Sequence, residues 1–386
     1  MSPPQRAHEA IPTWTLPYHR RMRQAPDRVQ RLPEQYFMAL LARVAAAAAE
    51  DGEPLVDLGR GNPEVGPPEH VIRALAEAAA RPDVHGYAPF SGLPALKEAI
   101  AARYRDVYGV ELDPTREVAV LPGTKTGLME FALCAVERGG TIVLPDPGYP
   151  DYFSAVALAD ARHVPFSGFD TEADAMYLNY PSNPTAGAAP ADVFAEAVAW
   201  AQRTGGWVLH DFAYGDLVFD GRRPESFLAA EGARDAGIEL FSMSKTYGMA
   251  GWRLGFALGN ADLLHRIETV QDHVFAGIFR PVQEAGIAAL TGPQDSVEER
   301  RAAYERRRDR ALAALSGLEA QSEGTFFVWF RLPEGLTVDR LLAEHRVALA
   351  PGEGFGARGA GWARLSLAVA DETLDRGLDR LRAALG

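Results

Sequence analysis

Ile238-Glu239-Leu240-Phe241-Ser242-Met243-Ser244-Lys245-Thr246-Tyr247-Gly248 is the stretch on which the reading of this chain turns. Four residues of strand character run into small hydroxyl residues, a lysine and a glycine turn, and Arg253 follows eight positions after the lysine. A surface lysine ordinarily sits among other charges. Lys245 instead follows an apolar run, where poor solvation and a nearby cation lower an amine's pKa and free it to attack a carbonyl. Ser242, Ser244 and Arg253 supply hydroxyl donors and a guanidinium fork suited to a phosphate. A lysine that condenses with an aldehyde beside a phosphate seat is the chemistry of pyridoxal 5'-phosphate. Taken alone, the segment also reads as a strand-to-turn junction with an incidental lysine.

Working outward, short β-rich runs occur at 118–121, 141–144, 176–179, 207–210, 238–241 and 254–258, with helical stretches at 126–136, 151–159 and 191–204. This alternation predicts an α/β fold whose central sheet is mainly parallel and covered by helices on both faces. Before it, Phe37, Leu40, Leu41 and Val44 follow helical spacing within 34–50, and prolines open helices at 67–80 and 94–109. After it, the charged stretch 297–315 reads as a solvated helix, 325–331 and 362–368 as strands, and 372–385 as a closing helix. A chain of 386 residues exceeds the usual single core. The expected division is an arm and helix at 1–60 that joins a smaller α+β domain at 293–386, flanking a large domain at 61–292. The cluster His19-Arg20-Arg21-Met22-Arg23 reads as a solvated arm or a subunit contact.

Composition excludes several classes. A formal net charge of −13 argues against nucleic acid as the main partner. One cysteine, Cys134, permits neither an intramolecular disulfide nor a cysteine-based metal cluster, and its apolar neighbours predict a buried structural thiol. No apolar stretch approaches a membrane span, and the start lacks the apolar core of a signal peptide, so the expected location is cytoplasmic.

In a sheet of this kind ligands bind at the carboxyl ends of the strands, and the candidate polar residues fall there. Gly123-Thr124-Lys125 lies between a strand and a helix, where free N–H groups and the helix dipole seat a phosphate. Asp211 ends an apolar strand, where a carboxylate needs a partner such as a protonated pyridine nitrogen, and Tyr214 is placed to reach the ring hydroxyl. His210 reads as a packed structural residue. Asn183, between prolines, is fixed in a turn with its amide free to donate. Arg364, among apolar residues of a late strand, needs an anion, and a substrate carboxylate would serve. Singly, the first and third of these are also an ordinary helix cap and a plain proline turn.

Read in order, the segments resemble the fold-type I pyridoxal-phosphate enzymes, and within them the class I/II aminotransferase family, over about 56 to 381. The matching elements are Gly61-Asn62-Pro63, Tyr87 with Gly92-Leu93-Pro94, Gly123-Thr124-Lys125, Pro147-Gly148-Tyr149-Pro150, Asn183-Pro184-Thr185, Asp211-Phe212-Ala213-Tyr214, Ser242-Met243-Ser244-Lys245, Gly251-Trp252-Arg253, Pro351-Gly352 with Phe355-Gly356, and Arg364. The resemblance implies that Lys245 holds the cofactor as an internal aldimine and shuttles the proton between substrate Cα and the cofactor C4'. It implies Asp211 on the pyridine nitrogen, Tyr214 and Asn183 on the ring oxygen, and Tyr149 on the ring face. Thr124, Lys125, Ser242 and Arg253 would bind the phosphate, Tyr87 the phosphate of a neighbouring subunit in a homodimer, and Arg364 with the backbone near Gly61 the substrate α-carboxylate. No metal is called for. The family commonly has glycine where Ala186 stands, which leaves the shape of that turn open.

The implied activity is amino transfer between an L-amino acid and a 2-oxo acid. A C–S β-lyase on the same scaffold is the alternative, and a non-catalytic sensor domain would need a DNA-binding module ahead of the fold. Arg280 is a candidate for a second substrate carboxylate, and equally a surface or interface arginine.

Overall fold

Runs of Val, Ile, Leu and Phe build the large sheet of the computed structural model, which describes residues 24–385. The basic cluster at 19–23 lies outside the described residues. The strands, with β1 (Val56–Asp57) set aside, are β2 (Val118–Leu121), β3 (Thr141–Leu144), β4 (Arg162–Pro165), β5 (Ala175–Leu178), β6 (Trp207–Phe212), β7 (Gly237–Ser242) and β8 (Gly255–Gly259). They lie in the order β2-β8-β7-β6-β5-β3-β4. Every residue of β2, β5, β7 and β8 is buried, as a sheet covered on both faces requires. Alternate residues serve opposite cores. Val118 and Val120 face the helices Pro94–Arg103, Val193–Thr204 and Arg280–Thr291, whereas Ala119 and Leu121 face Thr124–Ala135, Asp151–Leu158 and Ala261–Val274. A side chain such as Phe241, wholly buried in this sandwich, contributes about 1.5–3 kcal/mol.

All strands of this sheet run one way except β8, which is antiparallel to both neighbours. The reason is local. The link 243–254 stays at one edge of the sheet as two short helical turns, Met243–Thr246 and Ala250–Trp252, so the chain re-enters the sheet from that edge. β4, which alternation alone does not predict, is an edge strand of the polar sequence Arg-His-Val-Pro, largely exposed.

The rest of the chain forms a second core. β9 (Ala320–Gln321), β10 (Phe327–Arg331), β12 (Ala350–Pro351) and β13 (Trp362–Ser366) pair antiparallel in the order β12-β13-β10-β9, while β11 (Val347–Ala348) pairs in parallel with β1. Helices Asp295–Ala314, Val338–His345 and Asp371–Leu385 cover it through Tyr304, Ala311, Leu341, Leu374 and Leu378. The helix Tyr36–Ala48 docks Leu40 and Val44 on Trp329, Ala348, Ala350 and Phe355. Cys134 is half-buried rather than buried, and desolvation pushes its thiol up to about 11, which leaves it unreactive.

Candidate active site

Because β2, β3, β5, β6 and β7 share one direction, the segments that follow them converge on one edge. They deliver Thr124, Tyr149, Asn179 with Asn183, Asp211 with Tyr214, and Ser242 with Lys245 to a single cavity of about 760 Å³. The reversed β8 starts at that same edge, so Arg253, two residues before it, joins them. Gly61 and Arg364 enter from the smaller core. Of the residues singled out from the sequence for the cofactor or the substrate, Gly123, Tyr87 and Arg280 are not cavity lining, and neither is His210.

Lys245 Nζ donates to the carbonyl of Gly61 at 2.9 Å and lies 5.2 Å from the Phe326 ring centroid and 5.9 Å from that of Tyr214. Desolvation, helped by the charges of Arg364 and Arg253 and opposed by Asp211, brings its pKa down to about 8. Asp211 accepts from the Tyr152 hydroxyl at 2.8 Å and from the Ala213 amide at 3.3 Å. Burial still pushes its carboxyl up, against those hydrogen bonds and the nearby charges of His210 and Lys245.

Arg364 is 1% exposed. Its Nη1 donates to Asn183 Oδ1 at 2.6 Å and its Nη2 to the carbonyl of Gly59 at 3.2 Å, while Nε has no partner. The guanidinium lies 3.9 Å from the Phe327 ring centroid and 4.8 Å from that of Phe355. Among the described residues no carboxylate offsets the burial, which lowers its pKa. Asn183 is itself fixed, its amide N–H donating to Asn179 Oδ1 at 2.7 Å, and Asn179 Nδ2 donates to the Asp211 carbonyl at 2.8 Å. In the turn beyond Asn183, Ala186 takes φ +55° and donates to the Ser182 carbonyl at 2.9 Å.

Gly123, at φ +86°, caps the helix Thr124–Ala135. A Cβ there would stand 2.1 Å from Arg253 Nη2, so only glycine lets the guanidinium lie over the helix N-terminus. Ser242 and Ser244 add hydroxyls, although Ser242 Oγ also accepts from the Ser244 amide at 3.1 Å. Lys125 reaches the cavity with its amine on Asp151 at 2.9 Å, so its charge is already shared.

Tyr149 packs edge-on to Tyr152, with ring centroids 5.6 Å apart. Tyr214 is 5% exposed against Phe326 and Phe327. Tyr87, 87% exposed, stands outside the cavity on the open surface. Arg280 is outside it too, with Glu284 at 2.8 Å and Asp83 at 3.8 Å. Sequence reasoning overlooked Tyr152 and Asn179. Both carried a signal: Asn179 directly follows a strand, and Tyr152 lies one helical turn beyond Tyr149.

These residues fit pyridoxal 5'-phosphate. The cavity holds an amine of lowered pKa, a buried carboxylate that makes no ion pair among the described residues, and a cationic helix N-terminus that a single Cβ would fill. The fold and site thus define a pyridoxal-phosphate enzyme of fold type I. The sequence model for "Aminotransferase class I and II" matches residues 53–381. The L-glutamine–4-(methylsulfanyl)-2-oxobutanoate aminotransferase of Bacillus subtilis is 43% identical over 92% of this chain and 94% of its own. An LL-diaminopimelate aminotransferase of Moorella thermoacetica is 38% identical over 94% and 99%. The substrate-bound structure of BacF from Bacillus subtilis superposes with a TM-score of 0.88 at 37% identity, covering 94% of this chain and 98% of that one. The chain belongs to the class I and II aminotransferases, pyridoxal-phosphate enzymes that move an amino group between an amino acid and a 2-oxo acid.

Proposed function

We propose that Lys245 is the reacting amine of this aminotransferase, flanked by Asp211 as partner of the ring nitrogen and Arg364 as clamp of the substrate α-carboxylate. The observation that carries the reading is the amine of Lys245, held at a pKa of about 8 between a buried acid and a buried arginine that lacks one. When bound, pyridoxal phosphate supplies an electron sink for the charge that develops at the substrate Cα. Lys245, as free amine, takes the proton from Cα and holds it for return, as a base whose pKa lies near the working pH. Arg364 grips the carboxylate through its fork, and the 2.6 Å contact with Asn183 fixes the plane of that fork. Backbone near Gly61 assists.

Asn183 offers its side-chain Nδ2 hydrogens, with the Tyr214 hydroxyl, to the ring oxygen. Tyr149 covers the ring face. Gly123, Thr124, Lys125, Ser242 and Arg253 hold the phosphate. Tyr87 serves the phosphate of a second subunit, in a homodimer with shared sites. Its exposure beside the exposed Phe90 supports that placement. Division into an arm and helix at 1–60, a large domain at 61–292 and a small domain at 293–386 is supported by the separate apolar cores. A single cysteine supports a cytoplasmic location.

The substrate side chain is uncharged in this reading. Phe37, Leu40, Leu41 and Val44 give the cavity an apolar wall. Among the described residues its other cations are engaged: Arg60 by Asp57, Lys125 by Asp151, and Arg253 by the phosphate role. A second carboxylate would be buried without a partner. A 2-oxo acid such as 4-(methylsulfanyl)-2-oxobutanoate, in the name of the Bacillus subtilis relative, suits that wall, with glutamine as a donor. Steady-state assays should give kcat/KM at least about tenfold higher for that oxo acid than for 2-oxoglutarate or oxaloacetate, and the reverse order would overturn the substrate reading. Lys245→Ala should lose the visible Schiff-base absorbance and about 10²- to 10⁴-fold in turnover, and full turnover in that variant would sink the site assignment.

A further inference from the structure

The turn that carries Lys245, Met243–Thr246, is only four residues long. A helical turn of that length does not hold itself, because nucleation is unfavourable and isolated helices below about 12 residues are marginal. Its local support is thin: the Ser242 cap, and amide bonds from Tyr247 at 3.3 Å and Met249 at 3.4 Å to the Met243 carbonyl. A stronger tie comes from beneath. Thr246, 1% exposed, donates from Oγ1 to Asp216 Oδ2 at 2.8 Å.

Asp216 ends the tight turn that carries Asp211 and Tyr214. In that turn the Gly215 amide donates to the Phe212 carbonyl at 3.1 Å and the Leu217 amide to the Tyr214 carbonyl at 2.8 Å. One carboxylate therefore joins the lysine turn to the turn bearing the ring partner. Its other oxygen accepts from Arg103 Nη2 at 2.7 Å and from the Tyr108 hydroxyl at 2.7 Å. Arg103 is held in turn by Gln294 at 3.2 Å and lies 5.8 Å from the ring centroid of Phe241 and 5.5 Å from that of Tyr247. The backbone at Tyr104–Tyr108 winds as a π-helix, a rare form found mostly at functional places.

None of Arg103, Asp216 and Thr246 lines the cavity, so they act through other residues. A buried ion pair is a poor device for stability alone, since packed apolar side chains serve as well or better. What it provides is one fixed arrangement of the two turns. We propose that Asp216 is a positioning residue, which through Thr246 fixes the Lys245 turn against the Asp211–Tyr214 turn, with Arg103 and Tyr108 holding its carboxylate. The proposal rests on Lys245 being the reacting amine.

Thr246→Val in the holoenzyme tests it, because this change removes the hydroxyl while the Arg103–Asp216 pair remains. The expected result is a fall in kcat of about 10- to 100-fold with KM changed by less than about threefold, since the Arg364 clamp comes from the other sheet. The midpoint of the pH-dependent Schiff-base absorbance should rise by more than about half a unit, as the loosened Lys245 nitrogen, imine in the holoenzyme, regains solvent. Thr246→Ser, which keeps the hydroxyl, should restore both. The proposal is overturned if Thr246→Val leaves kcat and midpoint unchanged, if the change falls on KM alone, or if Thr246→Ser is equally impaired. Should Thr246→Val not fold, Asp216→Asn is judged on the same two readouts. A wild-type protein without Schiff-base absorbance sinks the assignment of Lys245, whereas an unaffected Thr246→Val beside a normal wild type sinks only the tether.

Discussion

Two layers of buried charge meet at the carboxyl edge of the large sheet, and they are completed differently. In the lower layer Glu239 is fully buried and its carboxylate is surrounded: the Tyr104 hydroxyl at 2.7 Å, the Ser226 hydroxyl at 2.8 Å, the Phe227 amide at 2.7 Å and His210 Nδ1 at 2.7 Å. Arg103, in the same layer, has Asp216. In the upper layer Asp211, one strand over from Glu239, has the Tyr152 hydroxyl and a long contact from the Ala213 amide. Arg364 has an amide oxygen, a carbonyl and, among the described residues, no acid. Burial costs both layers desolvation, but among the described residues only the lower one sets an acid against its arginine. An incompletely matched charge facing a cavity is matched by what binds there, and that difference separates site from support.

Removing an arginine from each layer tests the contrast most severely. Arg103→Met leaves Asp216 buried without its cation and should destabilise the fold by about 3–5 kcal/mol in denaturant melts. Arg364→Met removes a charge that no carboxylate among the described residues neutralises, so stability should hold or rise. Its cost should fall on substrate binding, lowering kcat/KM by about 2–5 kcal/mol, roughly 30-fold or more. Equal stability losses in the two variants would break the comparison.

A second test uses protons. An ordinary lysine amine titrates near 10.5, whereas Lys245 is brought down to about 8. Capture of pyridoxal phosphate by the apoenzyme, followed by Schiff-base absorbance, should quicken about tenfold per pH unit up to about 8 and then level off. The linkage has a definite sign. Between about 8 and 10.5 the unfolded chain holds a proton that the folded apoenzyme has released, so stability contributed by this group rises with pH across that window. A capture rate still climbing at pH 10 would show an unperturbed amine.

Much of this was legible in the sequence, because strand-end residues and glycine turns are local signals. Asp211, Asn183, Ser242 and Lys245 each follow an apolar run, and Gly123 precedes a helix, so one rule about strand ends finds them all. What was not legible depends on tertiary pairing. The reversal of β8 follows from a link that never crosses the sheet, and β4 is a polar edge held by β3. Asp216, Arg103 and Tyr152 matter through partners between 30 and 113 residues away. Ala186 shows the limit from the other side: its neighbourhood holds a left-handed turn at φ +55° without glycine, at a cost of about 1–2 kcal/mol.

The smallest test compares two hydroxyls, one in each layer. Tyr152→Phe deletes the shorter of the two hydrogen bonds to the Asp211 carboxylate and leaves an acceptor that burial already disfavours as an anion. The Asp211 carboxyl should then rise further, and activity on the acidic side should fall off at higher pH, with a loss of about 1–3 kcal/mol in kcat/KM. Ser226→Ala removes one of the donors around Glu239, of which Tyr104, Phe227 and His210 remain. It should change stability by no more than about 1 kcal/mol and leave the pH profile of activity where it was. If the two variants shifted that profile alike, the lower layer would be part of the titrating site and not its support.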